Sequence, residues 1–388
     1  PWPARPGGQM SADLAQVRRE FPLLSTCVYL NSNSTGAVPR GVQTVLASYW
    51  ETIAAWRDEV WERWWVELHA YWDELAAFLG APAGTVVTDG NLSTLLGRLL
   101  GAIDFRERSG IVTTDLEFPT MPFLLRAQER RGARVRVVRA RGAEMDVDAL
   151  LRAIDERTRV VCLSHATYQT GELVELATVV RRAHEVGAWV VVDAYQSVGV
   201  VPIDVAALDV DFLLGGAHKW MCGSIESAFL YVAPRHLPHL EPTATGWMAS
   251  EDPLSFDVPR GYAATARRFA SGTPAVLPTL VSHVALRILA TVGIEAIRAA
   301  SLRMTSRIVE LARDADLAVV PPLAPDRRAG VVCLRFAGDA RVVAELKARG
   351  FVCSHRGGVR LAPHFYNTEE EVDAFMAALI ELARRGRS

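Results

Sequence analysis

VVDAYQSVGVVPIDVAALDVDFLLGGAHKWMCGSIESAFLYV, residues 191–232, decides the fold. It holds three apolar runs in quick succession. Val190–Val192 ends at Asp193, Asp211–Leu214 runs into Gly215-Gly216-Ala217-His218-Lys219, and Ala228–Val232 follows. None alternates apolar with polar residues, so each reads as a strand covered on both faces. The same rhythm extends towards the N-terminus. Thr85–Thr88, Gly110–Thr114, Ala133–Val138 and Thr158–Ser164 are further strand candidates. Helical stretches separate several of them, one expected from about Leu92 and another over Glu172–Val186. Strands alternating with helices build crossover units and a mostly parallel sheet covered on both sides.

Upstream, a helix is expected at Asp13–Phe21, a short strand at Val28–Leu30, a turn-rich loop at Asn31–Gly36 and long helices over 41–80. Trp50, Trp56, Trp61, Trp64, Trp65 and Trp72 lie in those helices at helical spacing. They read as core or subunit interface first, and as an aromatic pocket wall second. Downstream the pattern changes near Gly272-Thr273-Pro274. A helix at about Leu280–Val292 leads into a smaller α+β part with strands near Val331–Arg335 and Gly358–Ala362. The expected division is an appended tag or upstream extension at 1–9, an N-terminal segment at 10–40, a large domain at 41–274 and a small C-terminal domain at 275–388.

Composition excludes several classes. Half of the 388 residues are hydrophobic and 22% are charged, enough for a sizeable core. With 42 basic and 44 acidic residues the net charge is −2, which gives no footprint for nucleic acid or for an anionic membrane surface. The five cysteines form no CxxC pair, so no disulfide framework, zinc ribbon or other metal site is expected. No apolar run is long enough to cross a membrane, and the expectation is a cytoplasmic protein.

Among the 42 basic residues only Lys219 and Lys347 are lysines. Lys219 follows a strand end with small residues, the place where an open α/β sheet holds its ligand. A lysine kept where arginine is otherwise used suggests an amine that reacts, since arginine cannot form a Schiff base. Asp193 ends the neighbouring strand. A carboxylate and a lysine at adjacent strand ends suit a pyridine cofactor, the acid holding the ring nitrogen protonated and the lysine holding the aldehyde. Taken alone, a lysine such as Lys219 is more often surface charge, and spacing leaves Asp193 open as a helix cap.

The whole stretch resembles the pyridoxal-phosphate segment of the class V aminotransferase family, the group of cysteine desulfurases, kynureninases and isopenicillin-N-epimerase-like enzymes. YLNSNSTGAVPR (29–40), Asp89-Gly90-Asn91, Phe118-Pro119-Thr120, SHATYQTG (164–171), Gly246-Trp247, RFASGTP (268–274) and VRLAPHFYNTEEEVD (359–373) resemble family motifs in family order. The resemblance implies a fold type I architecture: a large domain on a mostly parallel sheet with a smaller α+β C-terminal domain. It implies pyridoxal 5′-phosphate as cofactor and an amino acid as substrate. Lys219 would carry the Schiff base and move the Cα proton, Asp193 would pair with the pyridine nitrogen, and Gln196 would bond the phenolic oxygen. Phe118 would stack on the ring. Asn91, Leu92, Ser93 and His218 would hold the phosphate, the first three at a helix start. Thr167 would touch the cofactor and Tyr168 the substrate, and Arg360 would clamp the α-carboxylate. Arg356 is weighed evenly between site and surface. Trp247 and Thr273 match positions that reach a neighbouring subunit's phosphate, which implies a homodimer with shared active sites.

The pattern breaks in places. Desulfurases carry a nucleophilic cysteine on a longer loop; here Cys353 sits on the apolar approach Gly350–Val352 and reads as a buried thiol. Gly216 stands where desulfurases place a phosphate-binding serine, and His218 stands where kynureninases have tyrosine. The short C-terminal loop most resembles the epimerase-like branch, which also includes carbon–sulfur lyases of secondary metabolism and ergothioneine synthesis. The expected reaction is β-elimination on an S-substituted cysteine. An aminotransferase and a decarboxylating oxidative deaminase of a cysteine conjugate are the alternatives. A non-catalytic protein on the same fold conflicts with the combination of Asp193, Gln196, Lys219 and Arg360.

Overall fold

The computed structural model describes residues 14–57, 59–258 and 261–385. The tag-or-extension reading of residues 1–9, and Asp13 at the start of the first expected helix, lie outside them.

Thirteen strands among the described residues form three sheets. In chain order they are β1 (Val28–Tyr29), β2 (Val86–Asp89), β3 (Gly110–Thr114), β4 (Arg134–Val138), β5 (Thr158–Ser164), β6 (Trp189–Asp193), β7 (Phe212–Gly216), β8 (Ala228–Val232), β9 (Ala318–Val320), β10 (Val332–Arg335), β11 (Phe351–Val352), β12 (Ser354–His355) and β13 (Val359–Leu361). The seven-stranded sheet runs β2-β8-β7-β6-β5-β3-β4. Strands β7, β6, β5, β3 and β4 run parallel to one another, while β8 pairs antiparallel with both β2 and β7. All of β7 and β8 is buried, as their unbroken apolar runs require. This is the mixed α/β architecture of fold type I. Because β5, β6 and β7 are parallel, their carboxyl ends, at Ser164, Asp193 and Gly216, open on the same edge.

The four-stranded antiparallel sheet, β12-β13-β10-β9, belongs to the C-terminal part. Arg360, in the middle of β13, faces Cys333 of β10 and Ser354 of β12. The N-terminal strand β1 joins this part, pairing parallel with β11. The following loop is stitched on both sides. Ser32 N bonds to the Ala362 carbonyl (3.2 Å), and Gly36 N bonds to the His218 carbonyl (2.7 Å). A Cβ at Gly36 would overlap the Lys219 carbonyl, so only glycine lets the two backbones meet.

Three expected helices are corrected in extent. The first covers Leu14–Arg18 only; a 3-10 turn at Pro22–Ser25 follows. The helix expected over Glu172–Val186 is Leu176–Glu185. Residues Glu172 and Leu173 are bridged to Arg328 and Ala166 instead, and the helix starts only where the Glu175 side chain accepts from Thr178 N (3.1 Å). The helix expected from Leu280 begins earlier, at Val276. Pro278 does not break it because it sits in the first turn, where its missing N–H has no acceptor to lose. No single helix among the described residues is long and apolar enough to cross a membrane.

Candidate active site

A cavity of about 310 Å3 opens at the carboxyl ends of β5, β6 and β7. Lys219, Asp193, Gln196, Phe118, Tyr168, His218 and Arg360 all line it, with Asn91, Leu92 and Ser93 at another part of the wall. Residues scattered over most of the chain therefore meet in one place.

The floor comes from the strand ends. Asp193 is 9% exposed and accepts a hydrogen bond from Tyr195 N (2.9 Å). Burial raises its pKa, while that bond and the Lys219 charge oppose the rise. Among the described residues no cation forms an ion pair with it at contact distance. The Lys219 pKa is pushed down to about 8, mainly by burial and further by Arg360 and Arg356, against the pull of Asp193. Lys219 Nζ lies 4.6 Å from the centre of the Tyr195 ring and 5.8 Å from that of Phe118. Tyr195 fits there because Gly216 has no side chain; a Cβ would overlap its ring. The Tyr195 hydroxyl bonds to His218 Nδ1 (3.0 Å), and burial pushes the His218 pKa down to about 4, so the imidazole is neutral. Gln196 donates from Nε2 to the Asn33 carbonyl (3.0 Å) and accepts from Trp220 Nε1 (3.1 Å). Its second Nε2 hydrogen is left over.

The helix Leu92–Ala102 starts at the wall. The Asn91 side chain accepts from Thr94 N (2.9 Å) and caps it. The N–H groups of Leu92 and Ser93 have no preceding turn to bond to, so they and the helix dipole favour an anion. Opposite, Arg360 is only 3% exposed. Its Nη1 donates to the Tyr168 carbonyl (2.7 Å), and its Nε has no partner. No carboxylate pairs with it among the described residues. A buried guanidinium without a counter-ion is costly unless a ligand supplies the negative charge. Phe118 is 37% exposed and meets Tyr168 edge-on at 5.3 Å, leaving a ring face for a planar group.

These features fit pyridoxal 5′-phosphate: a helix start for its phosphate, a buried carboxylate for its ring nitrogen, an aromatic face for its ring, and an amine with a lowered pKa for its aldehyde.

Three expected residues do not line this cavity. Thr167 is corrected: its hydroxyl is buried in a turn, bonded to Thr170 Oγ1 (2.8 Å) and to Glu172 N (3.1 Å). Trp247 is half-buried against Trp65 and Phe256, and Thr273 is exposed. The six tryptophans expected in the long helices stay outside too, and one of them, Trp56, lies in the connection between the helices Val42–Ala54 and Val60–Phe78. Trp72 is in the core, Trp56, Trp61 and Trp64 pack on one another, and Trp50 is 70% exposed.

Sequence reasoning passed over Asn33, Ser34, Thr120, Ser164 and Tyr195, which also line the wall. It also missed Glu117, buried behind it. Thr114 Oγ1 and Ser164 Oγ each donate to one Glu117 oxygen at 2.6 Å. Burial, with Asp193 nearby, pushes the Glu117 pKa up to about 7 against those two bonds. An acid directly before Phe118, two residues after Asp115, was the available signal. None of the five cysteines lines the cavity, and burial pushes the Cys353 pKa up to about 12.

Comparison with known proteins places this architecture. The family model "Aminotransferase class-V" matches residues 28–375. The chain is 29% identical to the uncharacterized aminotransferase YcbU of Bacillus subtilis, over 92% of this chain and 95% of the relative. It is 32% identical to a kynureninase of Deinococcus radiodurans, over 88% of this chain and 86% of the relative. Among solved structures, the apo cysteine desulfurase of Thermococcus onnurineus NA1 superposes with a TM-score of 0.87 at 22% identity, covering 95% and 98% of the two chains. The cystine C–S lyase C-DES, bound to cysteine persulfide, superposes with a TM-score of 0.86 at 23% identity, covering 93% and 99%. The chain belongs to the class V aminotransferase family and is a pyridoxal-phosphate-dependent enzyme.

Proposed function

We propose that this family member catalyses β-elimination on an S-substituted cysteine, releasing a thiol and 2-aminoprop-2-enoate, which hydrolyses to pyruvate and ammonia. The observation that carries this reading is the pairing of a proton-moving amine with an unpaired carboxylate clamp in a cavity that no thiol reaches. The bound cofactor supplies an electron sink conjugated to the substrate Cα. Asp193 keeps the ring nitrogen protonated, and the leftover Gln196 N–H bonds the phenolic oxygen. Arg360 grips the α-carboxylate and so fixes which bond at Cα faces Lys219. Lys219 Nζ takes the Cα proton. The Cβ–S bond then breaks with its electron pair on sulfur, and Lys219 returns the proton to the departing thiolate. A desulfurase would instead capture that sulfur on a cysteine; with Cys353 protonated and off the cavity wall, the sulfur leaves with its own substituent.

Two copies would complete the site. Trp247 and Thr273 do not line this chain's cavity, and Trp50 and Phe256 expose 70% and 78% of their surface. A homodimer would bury these rings and carry Trp247 and Thr273 to the neighbouring phosphate.

The test is a product time course on the holoenzyme with an S-substituted cysteine. Pyruvate, ammonia and thiol in equal amounts, with the cofactor unchanged, is the expected result. Conversion of the cofactor to pyridoxamine phosphate with no thiol released overturns elimination. That outcome makes transamination the reading, in line with the aminotransferase name of the Bacillus subtilis relative.

A further inference from the structure

Arg360 does not stand alone on its hairpin. β12 and β13 are joined by Arg356-Gly357-Gly358, a turn closed by Arg356 N donating to the Gly358 carbonyl (3.0 Å). Gly357 and Gly358 have φ of 66° and 148°, and a Cβ on Gly358 would lie 2.6 Å from the Leu334 carbonyl. Arg335 Nε donates to the Gly357 carbonyl (2.9 Å), pinning the turn from behind. The turn is therefore held, and Arg356 is displayed from its tip at the cavity wall.

Arg356 is exposed, with its guanidinium 6.0 Å from the centre of the Phe118 ring. Lys219 and Arg356 thus both lie within about 6 Å of the Phe118 ring centre. Among the described residues Arg356 forms no ion pair and no side-chain hydrogen bond. The charges of the wall do not balance: Lys219, Arg356 and Arg360 face a single carboxylate, Asp193. When bound, the cofactor phosphate would go to the helix start, its ring nitrogen would engage Asp193, and an amino acid's α-carboxylate would answer Arg360. Arg356 is left over, on the wall of the same cavity.

We infer that Arg356, backed by Phe118, is a second anion subsite that selects substrates whose side chain ends in a carboxylate or sulfonate. The site then takes amino acids with two acidic ends. The sulfur linkage of such a substrate rests on the elimination reading above; the charge preference does not. The fork of the guanidinium suits a carboxylate or sulfonate oxygen pair, and the ring beneath it thins the water around the ion pair.

The test uses a matched pair, S-(carboxymethyl)-L-cysteine and its uncharged amide, S-(carbamoylmethyl)-L-cysteine. Dissociation constants are read from the cofactor absorbance of the holoenzyme, and kcat/KM from thiol release. The wild-type chain should bind the acid about tenfold more tightly than the amide, the scale of a charge-assisted hydrogen bond. Arg356→Gln should bring that ratio to near one, Arg356→Lys should keep part of it, and salt should shrink it in the wild type and in Arg356→Lys but not in Arg356→Gln. Because each ratio is taken within one protein, a general loss of folding cancels. Equal constants for acid and amide in the wild type overturn the subsite and show that Arg356 is engaged elsewhere, as by a carboxylate of a second copy. A tenfold binding preference without thiol release keeps the subsite and removes the elimination reading. Thiol release without a preference does the reverse.

Discussion

The floor of the cavity and its hairpin rim are built on opposite terms. On the floor, at the ends of β5, β6 and β7, the fold holds the polar side chains in place: Asp193 by the Tyr195 backbone N–H, Tyr195 by His218, Gln196 by the Asn33 carbonyl and the Trp220 indole. On the rim, Arg360 and Arg356 hold positive charge that the described residues leave without a carboxylate. A floor whose side chains are held in place by the fold accepts one ligand shape, while an unpaired rim waits for the charge of whatever arrives. The floor thus belongs to the cofactor and the reaction, the rim to substrate choice.

The largest effect should come from removing the floor's amine. Lys219→Ala should lower kcat by roughly a thousandfold or more, because general-base and covalent roles vanish together. Turnover within tenfold of wild type would break the assignment. The same amine sets a pH dependence. Its pKa is lowered from 10.5 to about 8, so the neutral, nucleophilic form becomes dominant above pH 8 and is lost below it. Cofactor capture by the apoprotein, followed by absorbance, should speed up through pH 8 and then level off. A rise still continuing near pH 10 would show an ordinary lysine.

On the rim, Arg360→Ala should raise KM for any α-amino acid on the order of a hundredfold, since a buried charge-assisted bond is lost. Arg360→Lys should recover little, because an ammonium cannot present the two parallel donors. An unchanged KM in Arg360→Ala would mean that the α-carboxylate is held elsewhere, and the division between floor and rim would fail.

Most of the floor was legible in the sequence, and most of the rim was not. Asp193, Gln196 and Lys219 stand within one stretch, and unbroken apolar runs place them at strand ends with little tertiary knowledge. Arg360 was legible through its motif, but Arg356 was not separable from the many other arginines. What distinguishes it is the turn of Gly357 and Gly358 and the Phe118 ring beneath it, residues far apart in sequence. Thr167 misled for a similar reason: a hydroxyl next to Tyr168 looks available until Thr170 and the Glu172 amide turn out to hold it. Pro278 concealed a helix start because a proline breaks only the interior of a helix.

Glu117 sharpens the comparison from beneath the floor. Its pKa is raised from 4.5 to about 7, chiefly by burial. The folded chain therefore binds this proton more tightly than the unfolded chain. Its contribution to stability is complete below about pH 4.5 and falls as the pH climbs to 7. Above that it leaves a deficit on the order of 3 kcal/mol. Glu117→Gln should remove that slope, so the variant gains on the wild type in denaturant midpoint between pH 5 and pH 8. A difference that is the same at both pH values would mean that Glu117 is not protonated in the folded chain at pH 5.

The smallest effect should be at Cys353, and there smallness is the point. The thiol lies next to the rim in sequence, at the start of the hairpin that carries both arginines. It is the residue a persulfide mechanism would need. Burial pushes its pKa up to about 12 although Arg360 pulls it down, so at neutral pH it is a thiol and a poor nucleophile. Cys353→Ala removes a partly buried sulfur from the packing around β11 and should cost stability on the order of 1 kcal/mol while leaving kcat within about twofold. Mass spectrometry of the enzyme during turnover should find no extra sulfur on this residue. A persulfide there, together with loss of activity in Cys353→Ala, would turn the rim from a reader of charge into part of the reaction, and the contrast with the floor would collapse at its most exposed point.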